Sequence, residues 1–232
     1  KRGIQYLVRE YDLYLMLIPM LLFYILFAYK PMTGLVIAFK DYSPFKGVWD
    51  SPWVGFQYFE EFFTSQFAWR VIRNTLTISL TSLVFGFPAP IILAVLLNEL
   101  RSRKFQKVVQ TVTYVPHFIS VVVVCGILVN FLSPTSGVVN AILKACGHDP
   151  VYFLATPAYF VPIYTLMNIW KSTGYGSIVY IAALTSISED LYEAAQVDGA
   201  GRWKQFLHVT LPGLMPTIVI MLLIQLGGIL NV

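Results

Sequence analysis

The sequence predicts an all-α, polytopic membrane protein, and three observations carry that expectation. Apolar residues make up 57% of the 232 residues and charged residues only 12%, against about 45–50% and about 25% in soluble domains. The apolar residues also come in long uncharged blocks: no Asp, Glu, Lys or Arg falls within 74–98, 109–143, 150–170 or 209–232. A helix needs about 20 mostly apolar residues to cross a hydrocarbon core ~30 Å thick. In lipid each peptide group must be satisfied internally, which leaves helix as the state open to such runs.

Five spans follow in order. The first, Leu13 to Tyr29, is followed by Lys30-Pro31-Met32. It is too long for a cleaved signal peptide, and no A-x-A-like site follows it. An outer segment, 31–73, comes next and is expected to be extended and turn-rich, with a short amphipathic helix from Phe56 to Thr64. The second span is Asn74 to Leu97 and the third Val108 to Leu132. The fourth is Ala158 to Leu184 and the fifth Val209 to Leu230. Residue 1 is Lys and the fifth span ends with the chain, so the expectation includes a sixth span missing at the C-terminus. The whole of 1–232 reads as a single transmembrane domain.

Lys and Arg in the flanks set the orientation. Lys1, Arg2 and Arg9 precede the first span; Arg101, Arg103, Lys104 and Lys107 separate the second and third; Arg202 and Lys204 separate the fourth and fifth. The opposite flanks carry fewer basic residues over much more chain. The N-terminus and the loop around Glu193 are therefore placed in the cytoplasm. The net charge of +4 follows from this asymmetry and does not point to nucleic acid.

The outer segment mixes Trp49, Trp53, Tyr42, Tyr58 and several Phe residues with Pro44, Gly47, Pro52 and Gly55. Trp and Tyr favour the membrane interface, so a lipid-facing belt is the plain reading. A docking surface for an external partner, or a platform for sugar rings, is the functional one. Cys125 and Cys146 show no C-x-x-C spacing and read as packed thiols. His117, His148 and His208 stand apart, with no metal-ligand cluster around them.

A polar segment, 189–208, lies between the fourth and fifth spans. Ser186 with Glu189, or Ser188 with Glu189 and Asp190, supplies a helix start. Leu191, Ala194 and Ala195 then share a face; the two alanines allow close approach of another surface. Asp198-Gly199 signals a turn, and Gly199 takes positive φ without steric cost. Pro212 suits the start of a membrane helix. Ordinary hairpins between spans can share these features.

The spacing Glu193-Ala194-Ala195, Gly199, then Val209-Thr210-Leu211-Pro212 resembles the cytoplasmic coupling loop of importer permeases of the ATP-binding-cassette class. Val209 stands where Ile is usual. Val54-Gly55-Phe56 with Tyr58-Phe59, Asn74-Thr75, and Ile169 to Tyr175 running on to Ala182-Ala183-Leu184 are similar to carbohydrate permeases of the maltose-type branch. Tyr29-Lys30-Pro31-Met32 and Ala38 to Tyr42 resemble the subgroup for complex oligosaccharides and polysaccharides. The resemblance implies a multi-pass bacterial plasma-membrane permease subunit that moves carbohydrate by alternating access. It implies a second permease subunit, two cytoplasmic ATPase subunits that bind ATP and Mg, and an extracellular solute-binding protein. It also implies that Leu191, Glu193, Ala194, Ala195, Gly199, Leu211 and Pro212 couple to the ATPase. The chain fits this division of labour, because it contains no G-x-x-x-x-G-K-[ST] loop and no cofactor is expected in it.

Within the fourth span Lys171 stands out. A charge at mid-span costs roughly 2.5–3.5 kcal/mol on insertion scales and usually faces a cavity or a partner. Tyr164, Asn168, Lys171 and Tyr175 fall on one helical stripe, and with Trp170 they form the expected substrate path: amide and lysine for hydroxyls, rings for stacking. Alternatively Lys171 pairs with a carbonyl or carboxylate for structural reasons. Gly174 and Gly176 are expected to permit close helix packing. The rival class is a membrane-embedded polysaccharide-processing enzyme, for which Glu60-Glu61 is the only candidate carboxylate pair outside the membrane. A permease for a non-carbohydrate solute and a purely structural scaffold are further alternatives.

Overall fold

The computed structural model of the protein describes residues 11–230. The basic residues Lys1, Arg2 and Arg9 used for orientation lie outside them. Among the described residues, helix is the only regular structure apart from an isolated bridge between Lys40 and Trp53. The chain divides into two compact units, one ending at Ile72 and one beginning at Arg73.

In the first unit, α1 runs Tyr11–Phe39, well past the expected end at Tyr29. Pro31 lies just past that expected end; proline lacks an N–H, and its ring clashes with the carbonyl four residues back. The helix instead widens into a π turn over Ile25–Tyr29 and then tightens into a 3-10 stretch over Thr33–Phe39. The outer segment thus begins helical rather than extended. Beyond it, Phe39 stacks on Trp53 (5.6 Å, 8°) and meets Phe56 and Phe59 at 5.4 and 5.3 Å. The Lys40 ammonium donates to the carbonyls of Val48 and Trp49, both at 2.9 Å. The Tyr58 hydroxyl, on α2 (Gln57–Thr64), donates to Asp41 at 2.9 Å. That hydrogen bond to the carboxylate raises the Tyr58 pKa above its ordinary value. Glu60 and Glu61 are both exposed on α2, and Glu61 accepts from Gln57.

Helix α3, Gln66–Asn98, starts in the first unit and continues into the second. It carries a π turn at Ser82–Gly86, just before Pro88. The expected third span is broken: α4 (Arg103–Phe118) and α5 (Val121–Phe131) meet at 98°. Pro116 forces a 3-10 turn at the end of α4, and Ile119 and Ser120 are extended. Next, α6 (Val138–Ala145) carries Asn140, which is 1% exposed. Its side chain bridges the Leu132 and Ser133 carbonyls and both backbone groups of Val151. Helix α7 spans Phe160–Thr185, α8 spans Glu189–Val197 and α9 spans Arg202–Gly227.

Helices α1, α3 and α9 are long and apolar enough to cross a membrane, and α4 with α5 would make a fourth if the bent pair is one span. Helix α7 has 26 residues, about 39 Å at 1.5 Å per residue. It has the length of a span, but Asn168, Lys171, Ser172, Thr173 and Ser177 make it less apolar. All five expected segments are therefore helical, and the protein is an all-α polytopic membrane protein.

The core of the second unit joins Ala94 of α3, Tyr180 and Leu184 of α7, and Leu214 of α9. Lipid tails are as apolar as leucine, so close packing rather than water exclusion holds such helices together. A Cβ on Gly174 would overlap the Thr113 carbonyl of α4, and one on Gly176 would stand 3.2 Å from Pro90 of α3. These two glycines set how near α3 and α4 come to α7. Cys125 and Cys146 are free and exposed, not packed as the sequence suggested. Cys125 sits on α5 and Cys146 directly after the end of α6.

Candidate functional site

The hairpin is built from strong local signals. Ser188, not Ser186, caps α8: its hydroxyl accepts from the Asp190 N–H at 3.3 Å, while Ser186 donates back to Ala183. Glu189 and Asp190 in the first turn complement the helix dipole. Gly199 has φ +73°. The Ala200 N–H reaches the Ala195 carbonyl at 2.8 Å and the Gly199 N–H reaches Gln196 at 3.0 Å, the paired bonds of a Schellman end. The chain turns through Asp198–Gly201, and Arg202, Trp203 and Lys204 form the first turn of α9.

Leu191, Glu193 and Ala194 are exposed, and Ala195 is half-buried. Val197 (88% exposed) and Trp203 (70%) are further exposed apolar residues of the hairpin. Leu211 is half-buried and Pro212 exposed at the root of α9. Arg202 lies 3.9 Å from Glu99 at the end of α3, with both side chains largely exposed; such pairs contribute about 0–1 kcal/mol.

A cavity of about 510 Å³ opens between α3, α7 and α9. Tyr164 and Asn168 line it. Trp170, Lys171 and Tyr175 do not. Trp170 is half-exposed. Tyr175 stacks on His117 at the α4–α5 break (4.0 Å, 3°). Lys171 is partly buried and forms no ion pair among the described residues. The expected stripe is therefore divided, with Tyr164 and Asn168 on the cavity and Tyr175 against the broken span.

Sequence reasoning missed the hydroxyls. Ser79, Ser82 and Thr165 line the cavity, and their oxygens are buried without a hydrogen-bond partner. Ser172 and Gln225 join them on the wall. A buried hydroxyl left unmet costs about 1–3 kcal/mol. Two on the α3 wall and one on the α7 wall make the cavity suited to a polyhydroxylated solute or to water.

Residues 86–231 match the family described as "Binding-protein-dependent transport system inner membrane component". The chain belongs to that family. This permease is 44% identical over 225 residues to Protein LplB of Bacillus subtilis (strain 168), covering 97% of the chain and 71% of LplB. It is 41% identical over 231 residues to the Polygalacturonan/rhamnogalacturonan transport system permease protein YteP of the same organism, covering 100% of the chain and 72% of YteP. A crystal structure of a bacterial ABC transporter involved in the import of the acidic polysaccharide alginate superposes with TM-score 0.91 at 50% identity. That match covers 100% of the permease and 78% of the compared chain. The match includes the hairpin and all three walls of the cavity. Family membership makes the chain a membrane component of a transport system rather than an enzyme. Among the described residues no group of His, Cys, Asp and Glu could hold a metal ion.

Proposed function

We propose that this chain is the permease subunit of an ATP-driven importer of oligosaccharides or polysaccharide fragments, working by alternating access. The observation that carries the carbohydrate reading is the cavity wall of Tyr164, Asn168, Ser172 and the unmet hydroxyls of Ser79, Ser82 and Thr165. The names of YteP and of the alginate importer support the same class of solute. The alginate transporter was also crystallised with an alginate pentasaccharide-bound periplasmic protein, which favours an external solute-binding protein for this chain.

In this reading both units form one permease domain in a bacterial plasma membrane, with the N-terminus and the hairpin in the cytoplasm. A second permease subunit completes the pore. Two ATPase subunits, which bind ATP and Mg, press on Leu191, Glu193, Ala194 and Ala195. Gly199 holds the turn, and Leu211 and Pro212 lead the movement into α9. Trp170, Lys171 and Tyr175 belong to the path only if the broken span opens toward them.

The test is uptake by the complete complex in vesicles, with oligogalacturonide and alginate oligosaccharide as probes. Asn168→Ala should lower uptake at unchanged complex yield. Lys171→Met should give a folded complex with altered uptake if the lysine meets solute, and poor assembly if it is structural. Full uptake of a sugar probe by Asn168→Ala and Thr165→Val together would refute the cavity as the route.

A further inference from the structure

We infer that Tyr192 and Thr210 are positioning residues that fasten the hairpin to the membrane part of α9, so that a push on α8 passes beyond a built-in weak point. The inference rests on the reading that α8 receives the movement of the ATPase. The weak point is the π turn Phe206–Thr210 followed by Pro212. A π turn interrupts the regular i→i−4 ladder, and Pro212 has no N–H with which to restore it. Helices bend at such places. A force delivered to the hairpin could be absorbed there and never reach the cavity lined by Met221, Ile224 and Gln225 of α9.

Two contacts bridge the weak point. The Tyr192 hydroxyl, in the first turn of α8, lies 3.0 Å from the Thr210 hydroxyl, and Thr210 is only 6% exposed at the membrane end of the π turn. Neither hydroxyl has another partner among the described residues. Ile187, just before α8, fills the notch left by Gly213: a Cβ there would stand 2.6 Å from its Cδ1. Both contacts lie at the open end of the hairpin, opposite the Gly199 turn. The turn joins the two arms covalently at one end, and the fastener joins them at the other. The arms and the root of α9 then move as one body. By contrast the Arg202–Glu99 pair is exposed and long, and it lies on the hairpin side of the weak point.

The test uses the complete permease–ATPase complex in vesicles, with Cys125→Ser and Cys146→Ser as background and Gln225→Cys as a reporter on α9. Its labelling rate by a water-soluble maleimide is measured with and without ATP plus vanadate. Tyr192→Phe and Thr210→Val should each shrink the ATP-dependent change roughly 2- to 10-fold, the range for loss of one hydrogen bond, while ATP hydrolysis continues. Thr210→Ser, which keeps the hydroxyl, should restore the change, and the double variant should be no worse than either single one. If Thr210→Val lowers yield, Tyr192→Phe carries the test, since it removes a single oxygen. If both variants respond like the reference while Glu193→Lys abolishes the response, the fastener is wrong and the hairpin reading stands. If Glu193→Lys also responds fully, the hairpin reading falls and takes the fastener with it. A reference complex whose Gln225→Cys labelling ignores ATP overturns the proposal too, because α9 is then not the moving part.

Discussion

Replacing Gly199 by Asn, Ala and Val isolates the backbone contribution of the hairpin turn. Gly199 sits at φ +73°, and nothing lies within 4 Å of the Cβ that a substitution would add. Crowding by neighbours therefore contributes nothing, and the cost is that of holding an L-residue in the left-handed region. That cost is about 1–2 kcal/mol for Ala, a factor of about 5–30 in the population of the native turn. Loss of chain freedom in the unfolded state offsets roughly 0.4–1 kcal/mol of it for overall stability. The offset does not help the local equilibrium between turned and open hairpins. Asn tolerates the region and should be nearly neutral. Val, branched at Cβ, should cost more than Ala. The two Schellman bonds from Ala200 and Gly199 are lost with the turn, and α8 loses its fixed angle to α9. The assay is ATPase activity of the reconstituted complex stimulated by the solute-loaded binding protein. The expected order is Gly and Asn highest, then Ala, then Val, with binding of the external protein unchanged. A Gly199→Val complex with the full stimulated rate would refute the reasoning, because a distorted turn would then transmit as well as an intact one.

Thr165→Val removes an unmet buried hydroxyl, so the complex should be as stable as the parent or slightly more so, while uptake of a sugar probe falls; unchanged uptake would remove Thr165 from the path. Cysteines introduced at Ser136 and Gln196 should label from opposite sides of sealed cells, and labelling from one side would overturn the orientation. Gly174→Ala should push α4 from α7, because the added Cβ meets backbone at Thr113 that cannot swing aside; the complex should lose several degrees in Tm, and an unchanged Tm would mean the two helices do not pack as described. Tyr58 donates to Asp41 as a neutral phenol, and its pKa is raised from 10.0. Its contribution to holding the outer segment should be intact below pH 10 and lost as pH rises through the raised value, as read by ultraviolet titration against Tyr58→Phe.

Much of the architecture was legible because lipid leaves the backbone few choices. The uncharged runs gave all five helical segments, and Ser188, Asp198 and Gly199 gave the hairpin its start and its turn. Two prolines mark where the structure departs from the expected spans. Pro31 lies just past the expected end of the first span at Tyr29, yet the helix runs through it to Phe39. Pro116 lay inside a run with no charge, and nothing in composition separates a bent pair from a straight span. The site was half legible. Tyr164 and Asn168 stood out as large polar groups in an apolar run. Ser79, Ser82 and Thr165 did not, because a hydroxyl on a membrane helix normally bonds its own backbone, as Ser172 does with the Asn168 carbonyl at 2.6 Å. Only the meeting of three helices shows which hydroxyls were left unmet. Tyr192 and Thr210 were invisible for the same reason: they are 18 residues apart and meet only once the hairpin closes.

The π turns at Ile25–Tyr29, Ser82–Gly86 and Phe206–Thr210 each precede a proline by two residues, and together they alter the phase of their helices. A π turn holds one residue more than the α turn it replaces, and each residue of an α-helix advances about 100° around the axis. Everything beyond the turn is rotated by about that amount relative to an unbroken helix. In α3 this lets Ser79 and Ser82 address the cavity while Pro90 still meets Gly176 and Ala94 still reaches the core. A helical wheel drawn through Gln66–Asn98 without the extra residue would mix these faces into one blurred stripe. Deleting a single residue at 82–86 would close the π turn to an ordinary α turn and leave Pro90 and Ala94 still facing α7, whereas keeping every residue and forcing the segment into regular α-helix would swing them away. In such a helix the length of a span and the direction its side chains face are inherited separately, because one residue can be gained or lost at the π turn while both halves of the segment keep their facing.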